Sequence, residues 1–450
     1  MALFAAGADV TRHTAPGRQS STQTWRKSFQ ARAAGLWRPK PKPEISLVVV
    51  TYNIPREAPR TLHSLSALYQ RDIGADEYEI IVVDNGSDPP LDTDMVRRQT
   101  GNFRLIRIDQ ASPSPAQALN RGIAEAKGEI IGLMIDGARI VTPGLLHFAR
   151  MGARLYPNAV VATLGWYLGF DYQRWAMQGG YNQAREDALL ASIQWPTDGY
   201  RLFEIATMDD SSFDGWLQPI AESNGLFLRR EFWQALGGVN EGFASPGGGL
   251  LNLDTYRRAI EFPEAQLVLL LGEGTFHQIH GGIATNSPVE EMHANWQKWA
   301  PEYEAITGRP FAVAKPPAPP VYLGTLPQPA LRRFVRSALV PAPPHTEAPL
   351  GHDFDLGLWS TAVPLPGGVV GRVIELAQSE FRNGRYASAA AIARLARAQV
   401  PEQPEAIRLL SLAAPWLQQM PAESDLLNGD YWAVFAQARR LLAEANAAKN

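Results

Sequence analysis

The chain has 450 residues, 45% of them apolar, and its 42 basic and 45 acidic side chains leave a net charge of −3. So much apolar material can bury at least one large core and predicts two domains, while the charge balance gives no reason to expect nucleic acid as a partner. There is no cysteine, no run of about twenty apolar residues to span a bilayer, and no basic start to the amino terminus, so thiolate sites are excluded and the chain reads as cytoplasmic.

Residues 1–44 form a basic extension, with five Arg and three Lys against Asp9 and Glu44, and with Trp25, Phe29, Leu36 and Trp37 interleaved. A loosely docked tail is the plainer reading; peripheral contact with the anionic inner face of a membrane is the sharper one. Next comes an apolar run, residues 45–50, ending in Thr51-Tyr52-Asn53 and followed by a helical pattern at Leu62, Leu65, Leu68 and Tyr69. Two further runs, residues 80–83 and 130–135, each stop at an acid, Asp84 and Asp136. Strand, helix, strand is the βαβ rhythm, and a strand ending at a lone acid sets its carboxylate at the carboxyl edge of a parallel sheet, where α/β folds bind ligands. The first turn has no glycine, which argues against a dinucleotide fingerprint.

Val49-Val50-Thr51-Tyr52-Asn53, Val82-Val83-Asp84-Asn85-Gly86-Ser87-Asp88, Ala118-Leu119-Asn120-Arg121-Gly122 and Leu236-Gly237-Gly238-Val239-Asn240-Glu241 occur in that order. In this order they resemble the motifs of family 2 glycosyltransferases. The resemblance implies a GT-A Rossmann-like mixed sheet flanked by helices over residues 45–309. It also implies a donor site for a UDP-linked nucleotide sugar, drawn from Thr51, Tyr52, Asn53, Asp84, Asn120 and Asp136. Asp84 would accept a base N–H and Asp136 would face the ribose, the sugar or a metal. For Asp84 the structural alternative is a cap on the turn at Asn85-Gly86-Ser87.

Two departures from the family's pattern carry consequences. Where the family places Asp-x-Asp, this chain has Asp136-Gly137-Ala138, and alanine offers no oxygen to a divalent cation such as manganese or magnesium. A glycine-rich stretch, residues 272–282, follows the apolar run 267–271 and holds Glu273, His277 and His280. Read as a strand-end loop, it supplies His277 first and His280 second as metal ligands beside Asp136; loop histidines bonded to carbonyls are the plainer alternative. The carboxylate that serves as base in the family's pattern is also missing, because Gly247-Gly248-Gly249-Leu250-Leu251 stands near its place. An acceptor hydroxyl needs a positioned base, and the replacement candidates are Glu222 and then Asp210, with Asp254 a further option.

Prolines crowd residues 310–350, which read as an extended linker. Residues 351–450 read as helical, and Gly384, Tyr386, Ala389, Ala393, Ala396 and Pro401 sit at the offsets of a tetratricopeptide-like hairpin that would pack on the catalytic domain or in a homo-oligomer, or bind a partner peptide. The resemblance therefore implies a hexosyltransferase-type, inverting enzyme acting on a glycan, lipid-linked or protein acceptor. A degenerate, non-catalytic GT-A module that binds nucleotide sugar or glycan is the alternative that Ala138 and Gly249-Leu250 support.

Overall fold

The structure is a computed structural model that describes residues 42–169, 173–178, 181–209, 211–212, 215–217, 219–283, 285–287, 289–331, 367–382, 389–390, 392–393, 396 and 404–418. Residues 1–41 of the basic extension and the candidate base Asp210 lie outside the described residues.

The apolar runs become strands of one sheet: β1 (Ile45–Thr51), β2 (Tyr78–Asp84), β3 (Phe103–Arg107), β4 (Ile130–Met134), β5 (Arg139–Val141), β6 (Ala159–Leu168), β7 (Ala206–Met208), β8 (Leu226–Arg229), β9 (Gln266–His277) and β10 (Val321–Gly324). The helices are α1 (Ala58–Ser64), α2 (Thr93–Arg97), α3 (Ala116–Glu125), α4 (Leu145–Leu155), α5 (Gln173–Gln178), α6 (Gln183–Ile193), α7 (Arg230–Leu236), α8 (Leu251–Ile260), α9 (Val289–Thr307), α10 (Gly367–Arg382) and α11 (Pro404–Gln418). The sheet runs β10-β9-β6-β8-β4-β1-β2-β3, with β5 on β9 and β7 on β6. β3, β2, β1 and β4 are mutually parallel, β8 is antiparallel to both β4 and β6, and β9 and β10 run parallel to β6. This is the expected mixed α/β sheet of GT-A type.

Unbroken apolar runs in β1 and β2 are explained by cover on both faces, since strand side chains alternate sides. Val48, Val50, Ile81 and Val83 enter one core with Leu119 of α3 and Trp233 of α7. Leu47, Val49, Ile80 and Val82 enter the other with Leu62 of α1 and Leu145 of α4. Helix ends follow local chemistry: the Asp92 side chain accepts from the Asp94 N–H at the start of α2, Asn182 caps α6, and Gly237, at φ 73°, ends α7 in the left-handed region that glycine tolerates.

Two expectations are corrected. Residues 272–277 are not a loop: β9 continues through them to His277, pairing with β6 across an irregularity between Ala162 and Leu164. The glycines are needed for packing inside the sheet, because a Cβ on Gly274 would stand 2.7 Å from Trp166 Nε1. Nor is the whole of residues 310–350 a linker. β10 pairs with β9 from Val321 to Gly324, with Pro319 and Pro320 just ahead of it, where an edge strand tolerates proline. Ala330 is buried in the first core, so the sheet domain extends beyond residue 309. In the tail, α10 packs on α11 and Ala389, Ala393 and Ala396 are buried, while Gly384, Tyr386 and Pro401 of the hairpin pattern lie outside the described residues.

Candidate active site at the carboxyl edge of the sheet

Strand directions gather the site. Because β8 is antiparallel to both of its neighbours, β6 and β9 run the same way as β4. The carboxyl ends of β1, β2, β4 and β9 therefore share one edge, and β8 starts from it. Thr51, Asp84, Asp136 and His277 lie at those ends, and Glu222 lies just before β8. The antiparallel pairing of β5 with β9 sets Arg139 opposite His277.

Asp136 meets His277 and His280, more than a hundred residues further along the chain, with one ligand atom of each within 4.8 Å of the others. His277 Nε2 is 2.8 Å from Asp136 Oδ2 and 3.1 Å from His280 Nε2, which is 3.6 Å from Asp136 Oδ1. Burial drives the His277 ring down to about 4, against the pull of Asp136. For the His280 ring burial acts in the same direction and is the largest single cause, but the charge and hydrogen bond of Asp136 together with the charge of Glu57 outweigh it and the net shift is upward. Burial would raise the Asp136 carboxyl, yet the two rings hold it well below the usual carboxylate range. Asp136 is further set by the Ala138 N–H, which donates to its Oδ1 at 2.9 Å. Ala138 itself is fully buried in the second core, so it offers the cleft nothing.

Beside the triad lies a second group. The Arg139 guanidinium is nearly fully buried between Asp136 Oδ2 (3.8 Å) and Asp209 Oδ2 (3.6 Å), and its Nη1 donates to Thr275 Oγ1 at 3.3 Å. Its Nε makes no hydrogen bond among the described residues. Asp209 follows β7, its N–H donating to the Gly165 carbonyl; a Cβ on Gly165 would stand 1.8 Å from Asp209 Oδ2, so only glycine leaves room for this acid. Glu222 is fastened by its neighbour Ser223, whose Oγ accepts from the Thr163 N–H and donates to the Thr163 carbonyl. Burial, followed by the charge of Asp209, pushes the Glu222 carboxyl up to about 7; Arg139 and a hydrogen bond from Asn252 work against the rise. Asp254, by contrast, is buried on α8 and paired with Arg258 at 2.8 Å.

The donor-side candidates fall into two kinds. Tyr52 is 60% exposed, and Asn53, at φ 51°, is exposed beside it, its N–H donating to Ser87 Oγ and its Oδ1 accepting from the Asp88 N–H. Thr51 and Asp84 are buried. Asp84 Oδ1 accepts from the Ser87 N–H at 3.0 Å, and its Oδ2 from the Leu91 N–H at 3.1 Å and from Arg107 Nη1 at 2.6 Å. Its carboxylate thus holds the turn after β2 together. Asn120, on α3, clamps Val239 at both its N–H and its carbonyl and also donates to Glu241.

Sequence reasoning missed Arg139, Asp209, Gln173 and Asn286. Arg139 stands three residues after Asp136, and an arginine followed by Ile140-Val141 at the start of a strand is the one signal that pointed to a buried cation. Asp209 stands next to the candidate base Asp210, and nothing local sets it apart.

Residues 46–144 match the family model described as Glycosyl transferase family 2. That stretch carries β1 to β5 and Asp136, and ends before Glu222 and His277. No curated protein matches the chain by sequence. Among solved structures, S. aureus TarS aligns at 12% identity over 82% of this chain and 55% of that one, with a TM-score of 0.37. The chain thus spans about half the length of that protein. S. aureus TarS 1-349 in complex with UDP-GlcNAc aligns at 13% identity over 90% of this chain and 92% of that one, with a TM-score of 0.38, and the complex with UDP at 14% identity over the same shares, with a TM-score of 0.36.

Proposed function

We propose that the chain is a family 2-like glycosyltransferase that moves a sugar from a UDP-linked donor to a hydroxyl of a glycan, lipid-linked or protein acceptor, with inversion. The observation that carries this reading is the meeting, at one sheet edge, of the Asp136, His277 and His280 triad with Glu222, a carboxyl poised near 7. The segment matching glycosyl transferase family 2 supports it.

A base works best when its pKa lies near the operating pH, and Glu222 meets that condition because it is desolvated beside Asp209. In the reaction, Glu222 takes the acceptor hydroxyl proton as the oxygen forms its bond to the anomeric carbon and the diphosphate leaves with the electrons of the broken bond. Arg139 keeps Asp136 and Asp209 from repelling each other and the incoming donor. Tyr52 and Asn53 are the exposed groups at the end of β1 that can meet the nucleotide. One carboxylate and two imidazoles are a donor set that suits manganese better than magnesium, since magnesium prefers oxygen ligands throughout. A bound divalent cation would neutralise charge on the departing diphosphate.

The test is transfer and hydrolysis measured across a panel of nucleotide sugars with manganese, magnesium or chelator. Manganese-dependent turnover of a uridine donor is expected, and full activity in chelator would remove the metal from the proposal. A second reading, a binding module without turnover, is favoured by Ala138, which supplies no ligand, and by Asp254, which is tied to Arg258. Calorimetric binding of the donor by a protein that neither hydrolyses nor transfers it would support that reading.

A further inference from the structure

The geometry points to Gln173 and Asn286 as positioning residues that hold His277 in one tautomer, with the proton on Nδ1 and the Nε2 lone pair turned toward Asp136. The inference deepens the proposed function and rests on its reading of the triad as a cation site.

Backbone groups have fixed donor and acceptor roles, and they set the direction of every bond in this network. Three consecutive N–H groups, of His280, Gly281 and Gly282, donate to Asn286 Oδ1 at 3.1, 3.0 and 3.3 Å. Asn286 therefore presents its NH2 to the other side, where Nδ2 donates to Gln173 Oε1 at 3.0 Å. Gln173 Nε2 in turn donates to the His277 carbonyl at 2.7 Å. Both ends of the Gln173 amide are thus assigned without reference to the histidine ring. Gln173 Oε1 also lies 2.6 Å from His277 Nδ1, and an oxygen that can only accept requires Nδ1 to carry a hydrogen. In the neutral ring Nε2 is then an acceptor, yet it faces Asp136 Oδ2 at 2.8 Å, with His280 Nε2 3.1 Å and the Thr285 hydroxyl 3.3 Å away. Two acceptors, this lone pair and the Asp136 carboxylate, at such a distance leave a place for a cation. Gln173 and Asn286 are buried, so water does not compete for these bonds. The same support continues along the backbone, where the Ile279 N–H donates to Glu186 Oε2 at 2.9 Å. Partners of this kind on the far nitrogen of a metal-binding histidine typically change metal affinity by about 10–100-fold.

The test uses the full chain with 15N-labelled histidine, the His277 signals being those lost in His277→Ala. In the metal-free parent near neutral pH, the nitrogen shifts are expected to show Nδ1–H and unprotonated Nε2; an Nε2–H ring would overturn the inference whether or not metal binds. Gln173→Leu frees Nδ1, so the ring should turn over to Nε2–H, donating to Asp136, and Mn2+ affinity read by electron paramagnetic resonance should fall about 10–100-fold. Gln173→Glu keeps the acceptor and should keep the parent tautomer. If Gln173→Leu does not fold, Asn286→Asp serves instead: it retains the cap on three N–H groups, loses the donor to Gln173 and should yield mixed tautomers. The parent tautomer persisting in either variant would overturn the relay. A parent with the expected tautomer but no Mn2+ binding would uphold the relay and remove the cation reading instead.

Discussion

Glu222→Gln keeps the shape and the hydrogen-bonding reach of the side chain but cannot take a proton. Loss of a positioned general base typically costs about 10²–10⁴ in rate, equivalent to about 3–5 kcal/mol of transition-state stabilisation. The parent's kcat/KM should fall about tenfold per pH unit below about 7, where the Glu222 carboxyl becomes protonated, and level off above it. That limb should vanish in the variant. Stability should move the other way. A carboxyl raised from 4.5 in the unfolded chain to about 7 in the fold contributes stability that is full below 4.5 and lost as pH rises through 7. At about 1.4 kcal/mol per unit this is at most about 3 kcal/mol, reduced by the partial exposure of Glu222 to the cleft. The variant should therefore melt higher than the parent at pH 8 and level with it at pH 4. The assay is donor-to-acceptor transfer from pH 5 to 9, paired with thermal melts at both ends. Turnover within threefold of the parent, or a parent profile flat through 7, would refute the assignment of Glu222 as base.

Glu273 gives a control away from the chemistry: it is fully buried, and burial pushes its carboxyl up to about 7 against the hydrogen bonds it accepts from Thr142, from Tyr200 at 2.8 Å and from the Gly144 N–H. Glu273→Gln should leave stability unchanged at pH 4 and raise it by up to about 3 kcal/mol at pH 8, read from urea midpoints; destabilisation at pH 8 would contradict the raised carboxyl. Asp84→Ala removes one of the partners of Arg107, which keeps Asp109, and the acceptor of two N–H groups, so chemical unfolding should show a loss of about 3 kcal/mol, and an unchanged midpoint would mean that the turn after β2 does not need this acid. Ala138→Asp restores the missing carboxylate in sequence but sets it in the second apolar core, so it should lower the melting temperature without tightening Mn2+ binding. Tighter binding would show that residue 138 can turn into the cleft.

Much of the fold was legible because strands buried on both faces leave a plain signature. Ile80-Ile81-Val82-Val83 and Leu47-Val48-Val49-Val50 are apolar throughout, and an unbroken apolar run that stops at an acid places that acid at the sheet edge without reference to any other part of the chain. Asp84 and Asp136 could be named on those terms, Glu222 from the strand-like run that follows it, and His277 and His280 through the glycines around them. The path of the glycine-rich stretch could not be read, because Gly272 and Gly274 signal a loop locally and become strand only when β6 and Trp166 supply the pairing and the packing. β10 was hidden in the same way: the prolines just ahead of it speak against a strand, and the edge of β9 decides otherwise. The deepest gap lies in the site itself. Arg139 with Asp209, Gln173 with His277, and Asn286 with Gln173 are separated by 70, 104 and 113 residues, and no local preference of any of them encodes the other. Residue types and strand ends were set by the sequence; the carboxyl held near 7 and the ring facing Asp136 are consequences of burial and charge that exist only once β4, β5, β8 and β9 have come to one edge.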